Sequence, residues 1–359
     1  MRFVLFVHSL VSDWNHGNAH FLRGVVRELI ARGHDVRAYE PKDGWSRMHL
    51  LRERSGAEAV REFERVFPEL RPTLYDSRLD LAAATEGADV VIVHEWNEEP
   101  LVRALAELPR PTSRLLLFHD THHRSITAPE TLPVRALRRY DGVLAFGQRV
   151  RDVYRERGWA TNAWTWHEAA DTRLFRPGAA QPVADLVWIG NWGDDERSAE
   201  LHEFLIEPAR RLGLSGTVYG VRYPPEARRA LQKAGLAYGG WLPNHRVPEM
   251  FARHRVTVHV PRRPYAEALP GVPTIRPFEA LACGIPLVCT PWNDAEQLFR
   301  PGDYAIARDG DEMTVRLRSA LESTRGAGVA TIRERHTCAH RVDQLLELVA
   351  SLRAEEAAA

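Results

Sequence analysis

Short, continuously apolar runs alternate with amphipathic helical stretches from the first residues onward, and the alternation starts afresh halfway along the chain. Arg2 to Val7 reads as a strand. Asn18 to Arg32 reads as a helix with Phe21, Leu22, Val25, Val26, Leu29 and Ile30 on one face, closed by Gly33. Val36 to Tyr39, Asp89 to Val93, Arg114 to Phe118 and Gly142 to Phe146 supply further strands. Continuous apolar strands belong in a parallel sheet covered on both faces, and helices between them give a doubly wound α/β domain. The second series opens with the strand Asp185 to Ile189. A helix over Ser198 to Leu212 follows, then strands at Thr217 to Tyr219, Val256 to Val260 and Leu287 to Cys289.

A chain of 359 residues is long enough for two such domains. Its 48 basic and 48 acidic residues cancel, which gives no electrostatic case for a nucleic-acid partner. The basic residues are nearly all arginine, Lys42 and Lys233 being the only lysines, a feature of genomic composition rather than of function. Cys283, Cys289 and Cys338 form no CxxC pair and suit a reducing compartment. The apolar start is followed at once by His8 and Asp13, so it reads as a first strand and not as a signal peptide. No apolar run has the length of a membrane span. The expectation is a cytoplasmic protein, with room for peripheral membrane contact.

The stretch from Arg276 to Pro291, RPFEALACGIPLVCTP, carries the most chemistry. It reads as a short helix ended by Gly-Ile-Pro and followed by a strand, with an arginine and a glutamate at its start. A helix N-terminus offers free N–H groups and a positive dipole end, hence an anion site. Glu279 is misplaced for a phosphate but well placed to accept from a sugar diol. The alternative is that it merely complements the helix dipole.

This segment resembles the nucleotide-sugar site of the GT-B glycosyltransferases of the group-1 (GT4-like) type, closest to the CgeB-like branch, whose pattern is roughly R-x-F-E-A-x-A-C-G. The resemblance implies two Rossmann-like doubly wound domains facing across a cleft, with a C-terminal helix crossing back to the first. The stretch Ala169 to Gly178 resembles the D-x-x-x-F-x-P signature that closes the first domain in such enzymes. The expected boundaries are 1–177 for the acceptor-side domain, 178–184 for a linker, 185–337 for the nucleotide-sugar domain and 338–359 for the returning helix. The resemblance also implies that Glu279 binds the donor's ribose hydroxyls.

Three of the strands run into histidine: His8, His94 and His119. Ligands in open α/β sheets bind at the carboxyl ends of strands, so these residues line one rim. Phe118-His119-Asp120 resembles the strand-end histidine that contacts or orients the transferred sugar. His94-Glu95-Trp96-Asn97 resembles the H-x-W segment after the preceding strand, with Glu95 either a catalytic acceptor-side carboxylate or a surface acid. Asp13 to Asn18 forms the first βα loop. The resemblance places His16, Gly17 and Asn18 of this loop against phosphate and acceptor, and Asn18 is also a candidate N-cap. His119-Asp120-Thr121-His122-His123 lacks a zinc-ligand spacing, and no metal is expected.

In the second half, Gly190 ends the first strand and the acidic Asp194-Asp195-Glu196 precedes Arg197. Arg197 and then Arg276 are the candidates for the pyrophosphate, since a guanidinium suits phosphate oxygens; alternatively Arg197 pairs with Asp194 or Glu196. Tyr219-Gly220 and Gly240-Trp241-Leu242-Pro243 resemble segments near the donor base, and Thr274 and Ile275 would offer amides to phosphate. The family's E-x7-E pair would need an acid at position 271, which is Gly271.

The function implied is transfer of a sugar from a nucleotide-diphosphate sugar, UDP- or GDP-linked, to an acceptor hydroxyl, retaining and metal-independent. The acceptor is a glycan, a lipid or a small molecule. No cofactor is implied beyond the donor. The alternatives are an inactive GT-B protein that binds nucleotide or partner, and a nucleotide-sugar epimerase. Ten tryptophans, among them Trp14, Trp96, Trp192 and Trp241, suit either sugar stacking or packing.

Overall fold

The computed structural model describes residues 1–358; Ala359, the end of the expected returning helix, lies outside the described residues. The chain divides into two compact units, Met1–Glu168 joined by the segment from Cys338 onward, and Ala169–Thr337.

The first unit is a seven-stranded parallel sheet. Its strands are β1 (Arg2–Phe6), β2 (Asp35–Pro41), β3 (Thr73–Tyr75), β4 (Val90–His94), β5 (Leu115–Asp120), β6 (Gly142–Ala145) and β7 (Ala163–Thr165), in the order β3-β2-β1-β4-β5-β6-β7. The strand order reverses between β1 and β4, the place where α/β sheets open a crevice at their carboxyl ends. Phe3, Phe6, Phe21, Phe63, Phe67, Phe118 and Tyr154 are all fully buried in this unit.

The helix Cys338–Ala358 belongs here too, packed on the helix Ala19–Ala31. It buries Val342, Leu345 and Val349. The Trp166 indole donates to the Arg341 carbonyl (2.8 Å), and Arg353 pairs with Asp89 (2.6 Å). The expected return of the last helix to the first domain is what the structure shows, the contact being with that domain's first helix.

The second unit is a six-stranded parallel sheet made of β8 (Ala184–Ile189), β9 (Gly216–Tyr219), β10 (Leu236–Gly240), β11 (His254–His259), β12 (Leu287–Cys289) and β13 (Ala305–Ile306). The order is β10-β9-β8-β11-β12-β13, so the reversal falls between β8 and β11. Residues 169–177 group with this unit and not with the first: Ala170 bridges to Thr337, and its N–H donates to the His336 carbonyl (3.0 Å). The single helix expected over Ser198 to Leu212 is broken by a π turn at His202–Ile206. Pro208 has no N–H to give to the carbonyl four residues back, and its ring crowds that carbonyl, which forces the wider turn.

Gly220 sits where no side chain fits. Its φ is +153°, and a Cβ there would stand 2.0 Å from the Gly190 carbonyl oxygen. Gly220→Ala is therefore expected to cost more than about 2 kcal/mol, from a backbone clash that no rotamer relieves. Urea unfolding of the variant against the parent measures it.

Candidate functional site

At the carboxyl edge of the first sheet, register brings the histidines together. His94 and His119 are direct neighbours on β4 and β5, with rings 5.3 Å apart. His16 stands 5.8 Å from His94 and 5.0 Å from His8. His119 packs on Trp166 (4.9 Å) and Phe21 (5.7 Å) and is fully buried. Neither of its ring nitrogens has a hydrogen-bond partner among the described residues, and neither does Nε2 of the buried His16. Burial holds the His119 imidazole down to about 3. It also holds His16 and His94 well below the ordinary histidine value, the neighbouring imidazoles adding to the effect. These are neutral rings at pH 7, fit to orient a hydroxyl by hydrogen bonding rather than by charge. A buried polar atom without a partner costs about 1–3 kcal/mol, so such a pair of histidines marks a place built for a ligand.

Glu95 is not an open carboxylate. Its side chain is fully buried, and Oε1 accepts from the Thr121 N–H (2.8 Å) and hydroxyl (3.0 Å) while Oε2 accepts from Arg124 (3.0 Å). It shares a hydrogen bond with Asp120, which itself accepts from the Tyr154 hydroxyl (2.8 Å) and the His122 N–H (3.1 Å). Burial and the Asp120 charge push Glu95 up to about 8 against the pull of Arg124, so it is largely protonated at neutral pH. The pair fixes the loop that follows β5. Glu95→Gln, a mimic of the protonated acid, is expected to stay within about 1 kcal/mol of the parent, whereas Glu95→Ala strands Arg124 and two further donors and costs about 3–5 kcal/mol. Denaturant unfolding of both variants separates the two.

The first βα loop is strapped from both sides. Buried Glu40, at the end of β2, accepts from the Ser9 hydroxyl (2.8 Å) and from the Leu10 and Val11 amides (2.8 and 3.1 Å). Arg23 donates to the Leu10 and Val11 carbonyls and pairs with Asp13 at 2.9 Å. Gly17 lies between His16 and Asn18 within this held loop. Asn18 occupies the N-cap position, but its side chain makes no capping bond and donates to Glu168 instead (2.6 Å).

In the second unit Gly190, Gly220 and Gly240 stand at the carboxyl ends of three adjacent strands. Arg197 spans the β8/β11 reversal point: it donates to the carbonyl of Asn191, after β8, and of Val260, after β11. It lies over the Trp188 ring at 5.3 Å. Burial lowers it to about 10, still charged at pH 7, and its Nε has no partner among the described residues. It does not pair with the acidic loop. Asp194 pairs with Arg222 and Glu196 with Arg262, both at 2.8 Å.

The helix Ile275–Cys283 begins at Thr274, whose hydroxyl meets His259 Nε2 at 3.0 Å, and ends at Gly284. Glu279 is fully buried, with Oε1 accepting from the Asn244 amide (2.7 Å) and Oε2 paired with Arg276. Arg276 and Glu279 thus form one oriented unit at a helix start. Tyr219, whose hydroxyl meets the Met250 sulfur at 3.3 Å, ends β9, and the half-buried Trp241 directly follows β10. Gly271 has φ +81°, and a Cβ on it would meet Glu296 Cγ at 2.5 Å and Glu296 Oε1 at 3.1 Å. The position expected to hold an acid has no room for a side chain, and the carboxylate beside it belongs to Glu296. Among the described residues no three His, Cys, Asp or Glu side chains are placed to hold a metal ion.

Sequence reasoning missed Asn244, His259 and the Asp120–Tyr154 pair. His259 carries the same signal as His94 and His119, a histidine ending an apolar strand. Asn244 follows directly on the Gly240 to Pro243 turn, but its partner lies 35 residues away.

Residues 197–347 match the family described as glycosyl transferase-like. No curated protein matches the chain. Among solved structures, sucrose-phosphate synthase from Thermosynechococcus elongatus is 14% identical, with 99% of this chain and 100% of that one covered at a TM-score of 0.67. An alpha-glucosyltransferase in complex with UDP and a 13-mer DNA is 13% identical over 98% and 99% of the two chains, at 0.69. Anabaena HepE, in complex with UDP and glucose, is 13% identical over 98% and 100%, at 0.64. At these identities the likeness is one of fold, the GT-B fold. Among the described residues no helix is long and apolar enough to cross a membrane.

Proposed function

We propose that this chain, whose residues 197–347 match the glycosyl transferase-like family and whose fold is GT-B, moves a sugar from a UDP- or GDP-linked donor to an acceptor hydroxyl with retention and without a metal ion. The observation that carries this reading is the buried Glu279, held by Asn244 and Arg276 at the start of a helix. A carboxylate fixed in this way accepts from the two ribose hydroxyls, while the helix amides from Thr274 to Arg276 and the guanidiniums of Arg276 and Arg197 receive the diphosphate. Two arginines and a helix dipole neutralise the leaving group in place of a cation.

The bond from the sugar's anomeric carbon to the diphosphate oxygen breaks. The acceptor oxygen bonds to that carbon on the same face, and its proton passes to a phosphate oxygen. His119, neutral at pH 7, orients the sugar; His94, His16 and the loop through Gly17 and Asn18 line the acceptor side. Glu95 acts through the loop it holds, as a positioning residue. The absence of an acid at Gly271 favours a second reading, a protein that binds nucleotide without transfer. The Glu296 carboxylate beside Gly271 weighs against it.

The test is a thermal-shift series with UDP, GDP, ADP, TDP and their sugars, with and without EDTA, followed by analysis of the products. Stabilisation by one nucleotide that survives EDTA, with transfer or slow hydrolysis of its sugar, is the expected result. Stabilisation without turnover supports the binding protein, and an epimerised sugar supports an epimerase.

A further inference from the structure

Two tryptophans stand apart from every other aromatic side chain. Among the described residues Trp45 and Trp96 are the only exposed ones, at 45% and 39%; the remaining tryptophans, tyrosines and phenylalanines are buried or half-buried. Both lie at the carboxyl edge of the first sheet, Trp45 after β2 and Trp96 after β4, on the two sides of β1. Both follow the strands that flank β1, at whose end His8 lies. The backbone at Gly44, the residue before Trp45, passes the His8 carbonyl, and the Trp96 backbone lies beside the His8 ring.

Each indole is held in place while one part of it faces water. Trp45 meets the Trp14 ring edge-on at 5.1 Å and His49 at 4.6 Å. Its helix is tied to the first βα loop, because Ser46 Oγ donates to the Trp14 carbonyl (2.7 Å). Trp96 has the Arg124 guanidinium over its ring at 4.3 Å and His122 edge-on at 4.8 Å. Arg124 is itself anchored on Glu95.

An exposed indole that is already immobilised loses little entropy when it binds, and its flat face suits the C–H face of a pyranose. The imidazoles and the guanidinium around the two rings would serve the sugar's hydroxyls. A lipid surface would be met by contiguous aliphatic side chains, whereas the ring partners of these two indoles are a tryptophan, two histidines and an arginine. We infer that Trp45 and Trp96, on either side of His8, form a carbohydrate-binding subsite, so that the acceptor is a glycan. The inference rests on the transferase reading and names the acceptor class for it.

The test is a glycan array probed with the fluorescently labelled full chain in saturating UDP, alongside the Trp45→Ala, Trp96→Ala and Trp45→Phe variants, with the UDP thermal shift recorded for each. Binding to one or more glycans is expected. It should weaken at least tenfold in each alanine variant and be partly restored by phenylalanine, with the UDP shift unchanged. Glycan binding within twofold of the parent in both alanine variants overturns the subsite. So does an array without binding while the UDP shift is intact. Retention on phosphatidylglycerol vesicles that Trp45→Ala abolishes, with no glycan bound, would replace the glycan by a lipid surface. Should none of UDP, GDP, ADP and TDP give a shift in the parent, the transferase reading fails as well, and the two failures are told apart by that readout; where another nucleotide than UDP gives the shift, it takes the place of UDP in the array. A variant that does not fold reveals itself by its melting midpoint without UDP. In that case the tryptophan emission of the parent, titrated with the best array glycan, decides: a blue shift supports the subsite and an unchanged spectrum overturns it.

Discussion

Glu279→Gln should weaken the binding of the donor nucleotide by two to four orders of magnitude. Hydrogen bonds to an ionised acceptor contribute about 1.5–3 kcal/mol each, and a ribose diol makes two, so the loss is about 3–6 kcal/mol. Glutamine keeps the volume and one carbonyl oxygen, but its amide nitrogen must then face either the Asn244 amide or the Arg276 guanidinium, both donors. That conflict costs the fold about 1–3 kcal/mol, so binding should be measured well below the variant's melting range. Calorimetric titration with the nucleotide found by thermal shift gives the answer. An unchanged affinity would reduce Glu279 to a structural partner of Asn244 and Arg276, which is the dipole-complement alternative in a stronger form.

Acid should unfold the first unit before the second. His16, His94 and His119 are buried and neutral in the fold, whereas in the unfolded chain each takes up a proton near pH 6.5. Their folded values are lowered, so the unfolded state binds more protons below pH 6.5 and stability falls as pH falls. Each imidazole withdraws about 1.4 kcal/mol per pH unit, or about 2 kcal/mol between pH 7 and 5. Glu95 works in the opposite sense. Its folded value is raised to about 8, so the stability it lends is full below the unfolded carboxyl value and is lost as pH rises through 8. Acidification from pH 7 to 5 therefore regains roughly one histidine's worth through Glu95, about 2–3 kcal/mol, and buried Glu40, also raised, adds to that gain.

The net loss in the first unit is then on the order of 3 kcal/mol by pH 5, a large share of an ordinary domain's stability. The second unit carries a single comparable group, His259, held at about 3. Urea unfolding at pH 7.5, 6 and 5 should show the first unit's transition moving to lower urea faster than the second's. His119→Gln should flatten that dependence by about 1.4 kcal/mol per pH unit. Parallel behaviour of the parent and His119→Gln would mean that the imidazole is protonated inside the fold without cost.

Much of the architecture was legible because it rests on local rules. Nine strands were found within about two residues, since a parallel strand buried on both faces must be apolar throughout. The strands that escaped, Thr73–Tyr75, Ala163–Thr165, Leu236–Gly240 and Ala305–Ile306, are the edges of the two sheets. An edge strand has one neighbour and less to bury, so it leaves no continuous apolar run to read. The helix over 198–212 was seen as one element because its apolar period is intact; the cost of Pro208 appears only as the π turn.

The candidate site divides along the same line. The sequence by itself settled that histidines end the central strands, that a helix starts beside Arg276 and Glu279, and that an acid is missing at Gly271, because each is a matter of residue type at a position along one segment. Only the tertiary structure decided who meets whom. It put Asn244 on Glu279 across 35 residues. It buried Glu95 against Asp120 and gave Arg197 to two strand-end carbonyls instead of its acidic neighbours. It also set Glu296 beside Gly271 and brought Trp45 and Trp96 to either side of His8. The physical reason is that hydrogen bonds and charges saturate. A carboxylate or guanidinium has only a few acceptor or donor positions, and which partners come within about 3 Å of them is fixed by how the strands are ordered, which no local stretch of sequence encodes.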